Sequence, residues 1–219
     1  MSVLVTEVDL LIFDLDGTLV DSLEDIVNSV NFTLSELGLK QLEKPQIRSY
    51  VGDGIMTLLA RAVGTQEAVS EELVEQARKI YYEHHEEHCL DHVTIYPHVL
   101  EVMEYFSSKK KAVVSNKSER FTKKILSGLG LASFLDLVIG GDTLADKKPN
   151  PIVIEHAVSV LKAAKNRTVM IGDGPQDIRC GRSAGVLTCG VTYGFKPAED
   201  TRDADFRIND LIELEEVFK

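Results

Sequence analysis

Cysteine is scarce: Cys89, Cys180 and Cys189 are odd in number and have no CxxC spacing, so buried thiols are expected in place of a disulfide framework. Positive charge is outnumbered, with 24 Lys and Arg against 35 Asp and Glu and a formal net charge of −11. That balance excludes a general surface for nucleic acid or an anionic membrane, though it leaves room for a local basic pocket. No apolar run approaches the roughly 20 residues that span a bilayer. The opening MSVLVTEVDL lacks the basic flank of a signal peptide, so a cytoplasmic location is expected. Internal repeats, low-complexity tracts and long linkers are missing too. The 219 residues can bury a proper core and suit one large domain or a main domain with a smaller companion.

What the chain does have is LLIFDLDGTL, Leu10 to Leu19, an apolar run that stops abruptly at Asp14, Asp16 and Gly17. A continuous run of this kind is the pattern of a strand covered on both faces in a parallel sheet. Ligands bind at the carboxyl edge of such sheets, where Asp14 and Asp16 would stand side by side. Two acids there suit a hard cation, a nucleophile with its proton-transfer partner, or both.

Beyond Ser22, apolar residues at helical spacing predict helices over residues 23–37, 45–50, 55–63 and 71–88, with VGDG (51–54) as a loop and no convincing strand between about 20 and 90. From Tyr96 the pattern changes to alternation. Helices are expected at 97–108, 118–129, 151–161, 176–184 and 209–218, and strands at 112–115, 135–139, 168–171, 186–191 and 204–208. Strands separated by helices imply right-handed crossovers and an α/β, doubly wound, Rossmann-like parallel sheet. The predicted division is an α/β core from residues 1–19 and 91–219 with an all-helical insert at 20–90.

Three more expected strand ends carry polar residues to the same edge. They bring Ser115, Asn116 and Lys117; then Lys147 and Lys148; then Asp173 and Asp177. Acids, a hydroxyl and a lysine at one edge are the parts needed to hold Mg²⁺ and a phosphoryl group.

In order and spacing, DLDGT, SNK, KPNP and GDGPQD resemble the four motifs of the haloacid dehalogenase superfamily phosphatases, over nearly the whole chain and with a helical cap inserted after the first motif. DLDGTLVDSLEDI, YVGDG, SNKSE, GGDTLADKKPNP and GVTYG are most similar to the bacterial phosphoglycolate phosphatases of that superfamily. Two positions depart from the pattern: Ser115 stands where Thr is common, and Gly174 where Ser is common. The resemblance implies Asp14 as nucleophile, Asp16 as general acid and base, and Ser115 and Lys148 on the phosphoryl oxygens. It implies Mg²⁺ as cofactor, held by Asp14, Asp16 through its backbone carbonyl, Asp173 and Asp177. Thr18, Asn116, Gly52 and Gly54 join Ser115 and Lys148 as substrate-binding candidates.

The expected reaction is phosphomonoester hydrolysis of a small phosphorylated metabolite, 2-phosphoglycolate first, by a monomer or homodimer without nucleic-acid or membrane partners. A pyrophosphatase, nucleotidase or sugar phosphatase of the same superfamily is the alternative, because the cap sets the choice. A signalling module with a lasting phospho-Asp14 is disfavoured, since a base at Asp16 promotes hydrolysis.

Two further features call for weighing. Arg48 and Arg61 could bind a substrate carboxylate, although a surface arginine is the commoner outcome. His84, His88 and His92 recur every four residues, as do His85 and Cys89, which on one helix would gather zinc ligands. The HExxH pattern is missed because Cys89 stands four after His85, so a solvated or hinge-proximal face is expected.

Overall fold

The computed structural model describes residues 6–66 and 68–219. Its elements run β1 (Leu10–Phe13), β2 (Val20–Asp21), α1 (Leu23–Glu36), α2 (Lys44–Tyr50), α3 (Ile55–Val63), α4 (Glu71–His88), β3 (Thr94–Ile95), α5 (Val99–Tyr105) and β4 (Lys110–Val114). They continue with α6 (Glu119–Gly128), β5 (Leu137–Ile139), α7 (Ile152–Val160), β6 (Thr168–Gly172), α8 (Pro175–Ala184), β7 (Leu187–Val191), β8 (Phe206–Ile208) and α9 (Leu214–Val217). Six strands form one parallel sheet in the order β5-β4-β1-β6-β7-β8. This is the expected Rossmann-like fold.

The first strand sits inside that sheet, with Phe13 opposite Val113 of β4 on one side and Ile171 of β6 on the other. Successive side chains of a strand point to opposite faces, and here both faces are covered. Leu11 and Phe13 pack with Val102, Met103 and Phe106, while Leu10 and Ile12 pack with Val153 and Ile154 of α7 and Cys180 of α8. All four β1 residues are fully buried, which is why the run is apolar without alternation.

Four helices, α1 to α4, lie between β2 and β3. Ile26, Val30 and Leu34 of α1 and Val74, Ala77 and Tyr81 of α4 are buried in one cluster, and the two helices pack directly on each other. The Ser70 side chain caps α4 by accepting from the Leu73 N–H at 3.1 Å, satisfying one donor of the first turn.

Three departures have local causes. Val20 pairs with Ile95 and Asp21 with Thr94 in a two-stranded antiparallel ribbon, too short to leave any periodicity in the sequence. The expected helix over 209–218 is a 3₁₀ turn at Leu211–Glu213 followed by the four-residue α9, after which Phe218 bridges to Thr6. The expected helix over 97–108 shortens to Val99–Tyr105, preceded by His98 in the left-handed region at φ 60.

Candidate active site

The site forms where three neighbouring strands end. Asp14 follows β1 and donates its N–H to Ile171 O at 2.9 Å; Ser115 follows β4 and donates to Ile139 O at 2.9 Å. Asp173 follows β6 directly, and Asp177 lies in the first turn of α8. Because β4, β1 and β6 are adjacent and parallel, these residues must come out side by side. Lys148, from the loop between β5 and α7, places Nζ 2.9 Å from Asp14 Oδ1 and 2.7 Å from Asp177 Oδ1.

One oxygen from each of Asp14, Asp173 and Asp177 lies within 4.8 Å of the others, and all three residues are buried. Burial raises Asp173 to about 8, helped by the charges of Asp177 and Asp14. Burial likewise raises Asp14 to about 7, with Lys148 pulling the other way and Asp177 adding to the rise. Burial would depress Lys148, yet the two carboxylates beside it outweigh that and raise it. Three buried acids thus stand together with one ammonium, which touches only Asp14 and Asp177. The excess negative charge and the all-oxygen donor set fit a hard divalent cation. Backbone groups already orient two of the donors. Asp173 Oδ2 accepts from the N–H groups of Phe195 at 2.6 Å and Lys196 at 3.2 Å, and Asp177 Oδ2 accepts from Gly174 N–H at 3.0 Å.

The Asp16 carboxylate stands outside that cluster. Its oxygens face Lys117 Nζ at 3.0 and 3.2 Å, and its Oδ1 accepts from Ser22 Oγ at 2.5 Å. Both members of the pair are largely buried.

Asp14, Asp16, Ser115, Asn116 and Asp173 line one cavity of about 660 Å³, open to solvent. Residues Val51, Gly52, Gly54, Ile55 and Leu58 line it from the helical segment, and Tyr81 and Tyr82 from α4. Gly52 and Gly54 have φ of 116 and 86, and a Cβ would come within 2.6 Å of Gln176 Nε2 at the first and 2.5 Å of Lys147 Nζ at the second. Glycine is favoured there by the positive φ, while the closest atoms are the ends of flexible side chains that can move aside.

A model of the haloacid dehalogenase-like hydrolases matches residues 11–191. The chain belongs to that family. It is 36% identical over 211 residues to a phosphoglycolate phosphatase of Chromobacterium violaceum, covering 94% of this chain and 95% of that one. It is 36% identical over 209 residues to a phosphoglycolate phosphatase of Aquifex aeolicus, covering 93% and 95%. Among solved structures, a predicted phosphoglycolate phosphatase from Haemophilus somnus superposes with a TM-score of 0.89 at 27% identity, over 95% of this chain and 97% of that one. This member of the hydrolase family is accordingly an enzyme of the phosphatase kind.

In this hydrolase most expected site residues converge, but not all meet the cavity. Lys148 and Asp177 lie buried behind its lining, within reach of Asp14. Thr18 is fully buried and does not line it; its carbonyl accepts from the Tyr193 hydroxyl at 2.8 Å. Asn116 Nδ2 bridges to Gly52 O at 2.9 Å and Lys148 O at 3.0 Å, tying the VGDG loop to the sheet edge.

Neither arginine is free for a ligand. Arg48 donates Nε to Phe195 O at 2.7 Å and Nη2 to Gly194 O at 2.8 Å, and Arg61 pairs with Asp53 at 2.7 Å. Among the described residues the histidines form no ligand set, although the His84 and His88 ring centroids lie 4.3 Å apart. His84 and His85 both meet Ser29 Oγ, at 3.1 and 2.9 Å, His88 meets Asp91, and His92 lies beyond α4 on Asp25. Among the described residues, the only group of three or more acid, His or Cys ligands fit for a metal is Asp14, Asp173 and Asp177.

Lys117, expected at this edge from the sequence but without a role, lines the cavity, and so do Lys196 and Gln176, for which the sequence offers no signal. Lys196 and Gln176 depend on how loops fold over the edge.

Proposed function

We propose that the protein is a Mg²⁺-dependent phosphomonoester hydrolase working through an aspartyl-phosphate, with 2-phosphoglycolate its favoured substrate among small phosphorylated metabolites. The observation that carries this reading is Asp14: a buried carboxylate at a strand end, in contact with Lys148, grouped with two more acids and facing a cavity. The relatives named phosphoglycolate phosphatase support the substrate. No helix among the described residues is long and apolar enough to cross a membrane, and the three cysteines are unpaired and buried. Both fit work in the reducing cytoplasm.

In this reading residues 20–90 are the cap and 1–19 with 91–219 the catalytic core. An Asp14 oxygen attacks phosphorus, the bond to the alcohol oxygen breaks, and Asp16 gives that oxygen a proton. Asp16 then takes a proton from water, whose oxygen attacks the phosphorus and frees Asp14. Ser115 and Lys148 hold the phosphoryl oxygens, preset for the charge that builds on them. Asn116 and the Gly52 and Gly54 amides shape the ligand's surroundings, whereas Thr18, expected there, packs out of reach of the cavity. Asp14, the Asp16 carbonyl, Asp173 and Asp177 would hold Mg²⁺, which would supply positive charge to offset the repulsion between the carboxylate and the phosphoryl group. A cap over the site excludes water and selects the alcohol.

Asp14→Asn is expected to lower hydrolysis of 2-phosphoglycolate and of an aryl phosphate by at least about 10³-fold. EDTA is expected to stop turnover and Mg²⁺ to restore it. Retained activity in the Asn variant overturns the nucleophile, and a panel of phosphate esters ranked by kcat/KM tests the substrate.

A further inference from the structure

The positive charges around the cavity are nearly all spoken for. Lys148 serves Asp14 and Asp177, Lys117 holds Asp16, Arg61 pairs with Asp53, and Arg48 is spread over two backbone carbonyls. Lys147 donates to Asp53 O at 2.6 Å and does not line the cavity. Lys196 is the exception. It is half-buried, lines the cavity, and makes no ion pair among the described residues.

The Lys196 ammonium donates to Ser49 O at 3.0 Å, its only hydrogen bond there, which leaves two of its three N–H groups for a ligand. Its stem passes beneath the VGDG loop, where a Cβ on Gly52 would come 3.3 Å from Lys196 Cε. Its backbone N–H holds Asp173. The residue thus spans from the phosphoryl end of the cavity to the loop above it. Asp53 and Asp173 stand near enough to act on its charge but form no ion pair with it, and a partly desolvated cation in that position lowers its energy by meeting an anion directly.

We propose that Lys196 is a specificity-determining residue, binding a carboxylate on the alcohol portion of the substrate. This rests on the phosphatase reading above and names the group that selects among phosphate esters. The remaining wall, formed by Ile55, Leu58, Tyr81, Tyr82 and Phe121, offers such an anion no charge. An ester with a carboxylate close to its phosphate is therefore favoured over one with a neutral alcohol of similar size.

The test is a selectivity ratio, kcat/KM for 2-phosphoglycolate, 2-phospholactate and O-phosphoserine each divided by kcat/KM for phenyl phosphate. Lys196→Met is expected to lower the ratio on the order of 10- to 100-fold, the worth of a charged hydrogen bond, chiefly through KM. Lys196→Arg is expected to keep most of it, since the charge remains. An unchanged ratio overturns the proposal, including the case in which Lys196→Met slows every ester equally by disturbing the loop at Asp173. A wild-type enzyme that prefers phenyl phosphate to all three acids overturns it as well. Those outcomes leave the phosphatase reading intact. That reading fails separately, if Asp14→Asn stays active.

Discussion

Lys117 grips Asp16 from α6's side of the site, its Nζ 3.0 Å from one carboxylate oxygen and 3.2 Å from the other. Ser22, at the start of α1, adds a hydrogen bond to the same carboxylate. The group assigned proton transfer is thus held by one residue after β4 and one at the entry to the helical segment. Removing Lys117 leaves the acid in place but unaimed. Lys117→Met is expected to lower kcat on an aryl phosphate by about 10- to 100-fold, less than the roughly 10²- to 10⁴-fold of a lost general acid in Asp16→Asn. Steady-state kinetics on both variants checks the order; a Met variant as fast as wild type removes the role.

The cation site predicts a link to pH. Asp14 at about 7 and Asp173 at about 8 stand above the usual carboxylate value, burial being the first cause in each. Between about pH 4 and pH 8 the folded, metal-free protein keeps protons that the unfolded chain has lost. Stability from these groups therefore falls as pH rises through that window. In the proposed reading, Mg²⁺ bound there would compete with those protons and relieve the repulsion. Scanning calorimetry is expected to show a larger Tm gain from Mg²⁺ at pH 8 than at pH 6, and an equal gain at both would refute the link.

Gly172, the last residue of β6, has no room for a side chain, because a Cβ there would collide with the Asp177 carboxylate. Gly172→Ala must push Asp177 away from Lys148 and from the Gly174 N–H. The expected cost is about 1–3 kcal/mol of stability, as for an overpacked core. Urea unfolding measures it, and calorimetric titration is expected to show weaker Mg²⁺ binding in the same variant.

Arg48 ties α2 to the carbonyls of Gly194 and Phe195, in the loop whose N–H groups hold Asp173. The fork of a guanidinium makes both bonds at once, and an ammonium cannot copy it. Arg48→Ala and Arg48→Lys are both expected to speed amide hydrogen exchange across α2 and the VGDG loop, with global stability reduced by about 1–2 kcal/mol. Exchange rates matching wild type in that segment would show that the arginine fastens nothing.

Much of the fold was legible because local patterns carried it. The LLIF run announced a strand buried on both faces, and the change near Tyr96 from helical spacing to alternation announced the parallel sheet. The ribbon at Val20–Asp21 and Thr94–Ile95 left no trace, since two residues have no period. At the site, Asp14, Ser115, Lys148, Asp173 and Asp177 were legible as polar residues placed after apolar strands. Lys196 was not, being an ordinary surface-type lysine in a loop until β7 and β8 carry it over the edge.

The sequence by itself determined the strand that ends in two acids, the order of the elements, and which chemical groups reach the sheet's carboxyl edge. Those follow from short-range hydrophobic spacing, which each segment carries alone. Only the tertiary structure decided which charge meets which: Lys148 with Asp14 and Asp177, Lys117 with Asp16, and both arginines engaged elsewhere. Such contacts join residues far apart in sequence, 101 positions for the Lys117–Asp16 ion pair and 147 for the hydrogen bond from Arg48 to the Phe195 carbonyl, and no local pattern encodes them.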